Sequence, residues 1–353
     1  MVLMELLVSS FMEYTIEELK PFIFGLPWFG KEDHNLFRLP KSCFSQLSED
    51  MQRLCTFPAG GSLRFRTKTD IIVFELDQVL EEQMQGFSQV GQYALDVYCD
   101  GFFIGSVVTA KGHQFPWIQT NGSAEHEYCV YFPTYNTLNL QTVILECHDE
   151  NAEDPIMKPP SNFTIEGPIV VYGSSITHGA FASRTALAYP ARLGRILDAE
   201  VINMGFSGAG KGEKIVSDHL AAIPNVSLYL LDWGCNISAP DEVSMIVDRY
   251  PYMVKNITEV HPNTPILFVS TQVFPDEAKN TQTAKSFSLI REVTRNAYEL
   301  AKSNGVKCEF IDLRDVMGSN IAEYTVDLVH CNDLGYSKYL ESFVPAIRRL
   351  FGE

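Results

Sequence analysis

Apolar and polar residues alternate in the first part of the chain with the two-residue period of half-buried strands. In one run, Leu63 and Phe65 alternate with Arg64 and Arg66. Comparable short runs cover residues 71–76, 93–98, 102–109, 128–132 and 142–147. The pair Asp100-Gly101 between two of them predicts a hairpin turn. Many short strands joined by polar turns predict an antiparallel β-sandwich.

After a proline-rich, charged segment at 151–160, short apolar strands alternate with helices. The predicted strands are 169–172, 200–204, 228–232, 265–270 and 307–311, and the predicted helices are 186–197, 212–222, 241–260, 283–303 and 334–351. This alternation predicts a doubly wound, five-stranded parallel sheet covered on both faces. The predicted domains are a β-sandwich at 1–155 and an α/β domain at 156–353.

Composition narrows the class of protein. The 353 residues are 46% hydrophobic and carry a formal net charge of -17, which disfavours nucleic-acid and anionic-membrane partners. No apolar stretch spans a bilayer, and Met1–Lys20 lacks a basic segment and a cleavage site, so we expect a cytoplasmic protein without a signal peptide. The eight cysteines form no CxxC pair. We expect reduced thiols, no metal and no cofactor, although an even count leaves disulfides open.

Candidate chemistry lies just after the predicted strands and in one late loop. Ser175 follows the first strand of the α/β domain and offers a hydroxyl that needs a neighbouring base to become a nucleophile. His330 is the candidate base, and Asp327, three residues before it, is suited to orient the ring. Taken singly, Ser175 also fits a helix N-cap, and His330 fits a surface-loop histidine. Their combination favours a catalytic set.

Two further segments offer hydrogen-bond donors for an oxyanion. Gly208 lies in the turn Gly205-Phe-Ser-Gly-Ala-Gly210, where a backbone N–H can face the reaction centre. Asn236 follows the third strand and offers a side-chain N–H. An ordinary glycine-rich turn and a turn asparagine are the alternatives. The glycine-rich turn lacks the GxxxxGK[ST] pattern, which argues against a nucleotide-binding loop.

From Pro168 to the C-terminus, the order Ser175, Gly208, Asn236, His330 resembles the SGNH (GDSL-like) hydrolase superfamily of esterases and deacylases on a flavodoxin-like fold. The resemblance implies that Ser175 is the nucleophile, His330 the base and Asp327 its partner. It also implies an oxyanion hole made of the Ser175 and Gly208 N–H groups and the Asn236 side chain.

The N-terminal part, with Pro27-Trp28-Phe29-Gly30 and Leu63-Arg64-Phe65-Arg66, resembles the jelly-roll-like β-sandwich of a two-domain branch of that superfamily. Several members of such branches are carbohydrate esterases that remove acetyl groups. The chain departs from the superfamily pattern at Ser174, Ile237 and Cys331, where an aspartate, a second acidic residue and a proline are usual. None of these departures removes a catalytic group.

Three more residues are candidate substrate contacts. His178 lies three residues after Ser175, Arg184 offers a fork of donors, and Trp233 offers a ring for stacking on a sugar. A packed histidine, a salt bridge and a core aromatic are the respective alternatives.

The sequence therefore predicts a serine esterase that acts through an acyl-enzyme. The resemblance implies that it removes short acyl groups, in the first instance acetyl, from a carbohydrate, either a small molecule or an oligosaccharide. An acyltransferase using the same intermediate and an inactive glycan-binding protein are the other hypotheses. The oligomeric state is left open.

Overall fold

The computed structural model describes residues 10–32, 34–77, 80–109, 114–148, 153–318 and 320–353. The interpretation of residues 1–9 as lacking a signal peptide, and positions 151 and 152 of the predicted linker, lie outside these ranges. By its internal contacts the chain divides into two compact units. Unit 1 comprises the described residues of 1–40, 56–162 and 184–186, and unit 2 comprises those of 41–55, 163–183 and 187–353.

Unit 1 consists of two antiparallel sheets, which confirms the predicted sandwich class. Its strands are β1 (Ser10–Thr15), β2 (Ile23–Phe24), β3 (Ser62–Thr67), β4 (Ile71–Leu76), β5 (Ala94–Cys99), β6 (Phe102–Val108), β7 (Trp117–Gln119), β8 (His126–Tyr131) and β9 (Leu140–Cys147). One sheet has the order β1-β9-β4-β7 and the other β2-β3-β8-β5-β6. Leu63 and Phe65 are fully buried in the core, as the alternation predicts. Arg64 pairs with Glu127 at 2.8 Å.

Unit 2 is built on a five-stranded parallel sheet. Its strands are β10 (Ile165–Gly173), β11 (Ala199–Gly205), β12 (Leu228–Asp232), β13 (Ile266–Ser270) and β14 (Cys308–Asp312). Their order is β11-β10-β12-β13-β14. Counted within the sheet this is 2-1-3-4-5, the flavodoxin-like order that the resemblance implies.

Eleven α-helices occur among the described residues. They are α1 (Glu49–Cys55), α2 (Gln89–Tyr93), α3 (Ser175–His178), α4 (Tyr189–Leu197), α5 (Lys214–Ala222), α6 (Met245–Val260), α7 (Pro275–Lys279), α8 (Thr281–Ser303), α9 (Leu313–Met317), α10 (Ile321–Tyr324) and α11 (Asp333–Phe351). None of them is long and apolar enough to cross a membrane.

The central strands of the parallel sheet are buried because helices cover both of its faces. Ile169 and Val171 of β10 share a core cluster with Tyr189 of α4 and Phe343 of α11. The intervening Val170 and Tyr172 are also fully buried. This explains why β10 shows as a continuous apolar run in the sequence rather than as an alternating one.

Three helices start later than the periodicity predicts, and the helix predicted from residue 212 is one of them, since it begins at Lys214. The helix predicted from residue 186 begins at Tyr189, because Thr185–Leu187 form a 3₁₀ turn and Pro190 occupies the first helical turn. The helix predicted from residue 241 begins at Met245. All three differences lie at element ends, where propensity is a weak guide.

The carboxyl ends of β10, β11 and β12 lie level with one another. Gly173 at the end of β10 is in register with Gly205 of β11 and with Asp232 of β12. The three loops that follow therefore leave the sheet side by side, at its topological switch point. A Cβ on Gly205 would stand 2.6 Å from the carbonyl carbon of Thr177, so only glycine lets α3 pack this closely against β11.

Candidate active site

Ser175 is the first residue of α3 and follows β10 by two positions. It is only 8% exposed, and its Oγ lies 2.9 Å from Nε2 of His330. The N-cap of α3 is Ser174, whose Oγ accepts a hydrogen bond from the Ile176 N–H at 3.4 Å. The capping role that the sequence allows for Ser175 therefore belongs to its neighbour, and the Ser175 hydroxyl is left to meet the histidine.

His330 is held from its other side by Asp327. Its Nδ1 lies 2.7 Å from Asp327 Oδ2, and its backbone N–H donates to Asp327 Oδ1 at 2.7 Å. With the proton on Nδ1, the imidazole donates to the carboxylate and Nε2 accepts from Ser175. The structure thus brings together the three residues that the sequence separates by up to 155 positions.

The pKa of Asp327 lies below its ordinary value. Burial raises this pKa, but hydrogen bonds from the His330 backbone and ring and from the Val329 N–H favour the ionised carboxylate and outweigh burial. The carboxylate is therefore ionised at neutral pH, as a partner that stabilises an imidazolium must be.

A tight loop between α10 and α11 carries this pair. Thr325 and Cys331 form an antiparallel bridge, and the Val326 N–H donates to the His330 carbonyl at 2.9 Å. Leu328 adopts a left-handed backbone with φ 69°, which is costly for a branched residue. Gln272 donates to the Val329 carbonyl at 2.7 Å and fastens the loop to the end of β13.

Gly208 lies in the turn after β11, with φ 69° and open space on the side where a Cβ would project. Within the part of the chain that the structure describes, no hydrogen bond from its backbone N–H is found. The adjacent Ser207 N–H donates to Nδ1 of the buried His178 at 3.4 Å. Gly208 lines the same cavity as Ser175, and its N–H is not engaged by the described residues.

Asn236 lies in a short 3₁₀ turn after β12 and lines the same cavity as Ser175. Its Nδ2 donates to the carbonyls of Phe206 at 3.1 Å and Gly210 at 3.2 Å. The side chain therefore ties the turn that contains Gly208 to the loop after β12. For Asn236 to donate to an oxyanion as well, its Nδ2 must break the hydrogen bond to one of these carbonyls.

A cavity of about 560 Å³ opens over Ser175 and His330. Besides the candidate catalytic residues it is lined by Ile176, Ser207, Cys235, Ser238, Ala239, Pro240, Phe274, Asp276, Thr283, Phe287 and Val329. The rings of Phe274 and Phe287 lie 4.6 Å apart and form an aromatic wall. No lysine or arginine is among the described lining residues, so these residues offer no cation to bind an anionic group.

Two groups near the site are titratable but not nucleophilic. Burial raises the pKa of the Cys235 thiol to about 11, so at neutral pH it is not a thiolate that competes with Ser175. Burial also raises the pKa of Asp232 to about 7, although hydrogen bonds from Tyr189 and Thr177 hold it down in part. The Tyr189 hydroxyl stands 3.1 Å from the Asp232 carboxylate.

The three predicted substrate contacts do not line this cavity. His178 is fully buried and supports the turn that carries Gly208. Trp233 is 1% exposed and stacks on Tyr250 with ring centroids 5.0 Å apart. Arg184 belongs to unit 1, where it pairs with the buried Asp96 at 3.2 Å. The structure thus places each of them in the alternative role.

Sequence reasoning missed other residues of the site. The lining residues Phe274, Asp276 and Phe287 belong to segments around α7 and α8 that have no catalytic motif. Gln272 and Asp232 are recognisable only by what they contact. The one available signal is position, since both lie at the carboxyl end of a predicted strand.

The sequence profile of the GDSL-like lipase/acylhydrolase family matches residues 166–348, more than half of the chain. The chain belongs to this family. The protein is therefore a carboxylic ester hydrolase of the SGNH kind. A second profile, describing the N-terminus of SGNH-hydrolase-type esterases, matches residues 12–145 and accounts for the β-sandwich that precedes the hydrolase fold.

Solved structures resemble the hydrolase over both units. A protein from Bacteroides ovatus described as a GDSL-like lipase is 29% identical, with a TM-score of 0.80 and coverage of 97% of this chain and 98% of that one. The salicylyl-acyltransferase SsfX3 of a tetracycline biosynthetic pathway is 20% identical, with a TM-score of 0.76 and coverage of 89% of each chain. A family 2 carbohydrate esterase from Clostridium thermocellum, solved with cellohexaose, is 12% identical, with a TM-score of 0.60 and coverage of 83% and 93%.

One sequence relative carries a different name. N-acetyl-gamma-glutamyl-phosphate reductase from Lactococcus lactis is 23% identical over 252 residues, which are 67% of this chain and 68% of the relative. At this identity the likeness transfers no activity, and the family match of the hydrolase takes precedence.

Proposed function

We propose that this hydrolase cleaves short-chain acyl esters, acetyl esters of carbohydrates in the first instance, through an acyl-enzyme on Ser175. The observation that carries the proposal is the position of the His330 ring, whose two nitrogens lie 2.9 Å from Ser175 Oγ and 2.7 Å from Asp327 Oδ2. This geometry joins a nucleophile, its base and an orienting carboxylate in one chain of hydrogen bonds.

In the proposed reaction the Ser175 oxygen attacks the ester carbonyl while its proton passes to His330 Nε2. Asp327 stabilises the imidazolium that forms. The tetrahedral oxyanion accepts hydrogen bonds from the Ser175 and Gly208 N–H groups and from Asn236, and a donor of this kind contributes about 3–4 kcal/mol. The alcohol leaves with the proton from His330. Water, deprotonated by the same ring, then releases the acid.

The proposed substrate class rests on the residues that line the cavity and on the similar solved structures. Hydroxyls of Ser207, Ser238 and Thr283 suit a neutral, hydroxyl-rich alcohol. The cellohexaose complex of the C. thermocellum esterase supports an oligosaccharide as the alcohol part of the substrate. The cavity volume of about 560 Å³ leaves room for acyl groups longer than acetyl, so chain length must be measured.

The first test is Ser175→Ala assayed on p-nitrophenyl acetate, for which we expect a fall in kcat of about 10⁴-fold or more. Ser174→Ala is the matched control, since it removes the neighbouring hydroxyl, which caps α3 and contacts the Cys235 thiol, and leaves Ser175 in place. A fluorophosphonate should label the wild type at Ser175. Full activity of Ser175→Ala would show that another group is the nucleophile and would refute the proposal. No adduct at Ser175 would also refute it and would favour an inactive glycan-binding protein.

An acyltransferase is the second candidate, because the SsfX3 fold covers 89% of this chain. Both reactions share the acyl-enzyme and differ in whether water or another alcohol accepts the acyl group. Incubation with p-nitrophenyl acetate and a sugar acceptor, followed by mass spectrometry, separates the two. Acetylated sugar in excess of free acetate would show that acyl transfer, not hydrolysis, is the main activity.

A further inference from the structure

Unit 1 contains a cluster of three residues with the side chains of a transition-metal site. Cys99 ends β5, Asp100 follows it in the hairpin turn, and His126 begins β8. One potential ligand atom from each residue lies within 4.8 Å of the other two. These residues belong neither to the hydrolase site nor to any catalytic motif of the sequence analysis.

The backbone holds this cluster in place. Cys99 is paired with Tyr128 in the β5–β8 ladder, so Cys99, Tyr128 and His126 share one face of the sheet. Consecutive strand residues normally point to opposite faces. Asp100 escapes this rule because its left-handed backbone, with φ 48°, turns its side chain toward the thiol and the imidazole.

Two contacts orient the ligand atoms. Asp100 Oδ1 accepts the Glu127 N–H at 2.9 Å, and Oδ2 lies 2.6 Å from His126 Nδ1. The His126 ring packs edge-on against the buried Tyr128, with centroids 6.4 Å apart. The other ring nitrogen, Nε2, is buried and has no hydrogen-bond partner among the described residues. An ordinary histidine–aspartate pair explains the contact of Nδ1 with Asp100 but not a second ring nitrogen that is buried without a partner among the described residues.

We propose that Cys99, Asp100 and His126 form a Zn²⁺ site. A thiolate, an imidazole and a carboxylate together suit zinc, whereas calcium and magnesium require mainly oxygen ligands. Around a tetrahedral zinc ion such ligand atoms stand about 3.2–3.8 Å apart. Side-chain movements of about 1 Å reach this spacing from the 4.8 Å limit of the cluster, and Asp100 Oδ2 and His126 Nδ1 separate from their present 2.6 Å. Binding releases the Cys99 thiol proton to solvent, and water completes the coordination. Asp100 Oδ2 is the third protein ligand, while Oδ1 keeps its hydrogen bond from the Glu127 N–H.

The test uses the full chain, stripped with a chelator and titrated with Co²⁺ as a spectroscopic probe. We expect one Co²⁺ per chain, visible d–d bands, a near-ultraviolet sulfur-to-cobalt band, and displacement by Zn²⁺. Cys99→Ser should abolish the sulfur band, and Asp100→Asn should weaken binding by about 10- to 100-fold. Cys129→Ser, next to Tyr128 on the neighbouring strand β8, is the matched control and should retain the full spectrum.

A second measurement needs no variant, so a folding defect cannot obscure the result. Zn²⁺ should slow alkylation of Cys99 by iodoacetamide at least tenfold, read peptide by peptide, while Cys308 in unit 2 reacts at an unchanged rate. Absence of the sulfur band in the wild type, its persistence in Cys99→Ser, or unchanged alkylation of Cys99 would each overturn the proposal.

Discussion

Asp327 is the residue whose contribution is easiest to isolate, because its two oxygens have different roles. Oδ1 accepts backbone N–H groups of the loop, and Oδ2 faces the imidazole. An asparagine in place of Asp327 would keep an oxygen for the backbone but present an amide N–H to Nδ1, which forces the wrong histidine tautomer. The carboxylate is therefore predicted to matter for the tautomer of His330 more than for the shape of the loop.

We expect Asp327→Asn to lower kcat on p-nitrophenyl acetate by about 10⁴-fold with little change in KM. Steady-state kinetics will measure this effect. The control is Asp315→Asn, which replaces an exposed carboxylate nearby in sequence. A fall of less than tenfold would mean that another group orients His330.

Asp232 makes a separate prediction, about stability. Its carboxyl is nearly buried and its pKa is raised to about 7 from an ordinary 3.8, so between these values the folded protein keeps a proton that the unfolded chain has lost. The stabilisation is fully present below about pH 4 and is lost as pH rises toward 7. At roughly 1.4 kcal/mol per pH unit the difference amounts to at most about 4 kcal/mol.

The Asp232→Asn side chain stays neutral at every pH and can still accept from Tyr189 and Thr177. We expect the free energy of unfolding, from urea titrations at about pH 5 and pH 7.5, to fall less with pH in this variant than in the wild type. Exposed Asp241→Asn should follow the wild type. Identical pH dependence of all three proteins would show that Asp232 is ionised in the folded state.

Individual residues show where sequence reasoning succeeds. Ser175, His330 and Asp327 could be selected because a nucleophile, a base and its partner are rare residue types in a recognisable order. Arg184 and Trp233 could not be assigned, because the same side chains serve binding and packing equally well. Only the contacts to Asp96 and Tyr250 distinguish these roles, and those contacts join positions 88 and 17 residues apart.

At the scale of elements, helix α3 depends on the glycines beneath it. A methyl group on Gly205 would overlap the backbone of Thr177 and His178, and the main chain cannot turn aside as a flexible side chain can. A methyl group on Gly208 meets nothing within 4 Å. Substitution by alanine is therefore expected to have different consequences at Gly205 and at Gly208, three positions apart.

Gly205→Ala should displace α3 with Ser175, reduce esterase activity by about 10²-fold and lower the melting temperature. Gly208→Ala keeps its N–H and should cost only about 1 kcal/mol of stability from left-handed strain. Calorimetry and kinetics on both variants measure the difference. Equal loss of activity in the two would contradict close packing of α3 on β11 as the cause.

Long elements were predictable and short ones were not. Strand β4 has the predicted bounds, and the parallel sheet follows from its five apolar runs. Helix α3 has four residues and strand β2 has two, which are too few to show a hydrophobic periodicity in the sequence. These short elements are stabilised by tertiary contacts, which a single sequence does not display.

At the scale of the molecule, a polar cluster in unit 1 is built on Asp96, which is fully buried. Its carboxylate accepts hydrogen bonds from Arg184, from the Ala186 N–H and from Ser106. The Arg184 guanidinium also lies 3.7 Å from the centre of the Phe103 ring. Such a buried charge is tolerated only while its partners remain.

Arg184→Ala should destabilise unit 1 by about 3 kcal/mol, because it leaves the Asp96 carboxylate without its cation. Hydrogen exchange followed by mass spectrometry should show the loss of protection first in peptides covering β5 and β6. Arg348→Ala, which breaks an exposed pair with Glu353, is the control. Unchanged protection in β5 would show that the cation is dispensable.

The exchange of short segments between the two units has a consequence for how the protein is made. Residues 184–186 of unit 1 leave the ribosome only after residues 163–183 of unit 2, and residues 41–55 of unit 2 leave it before most of unit 1. Neither unit can be completed as one uninterrupted stretch of nascent chain. Fragments cut near residue 155 should therefore aggregate or fold poorly. For the same reason we expect the two units to be encoded together in one chain.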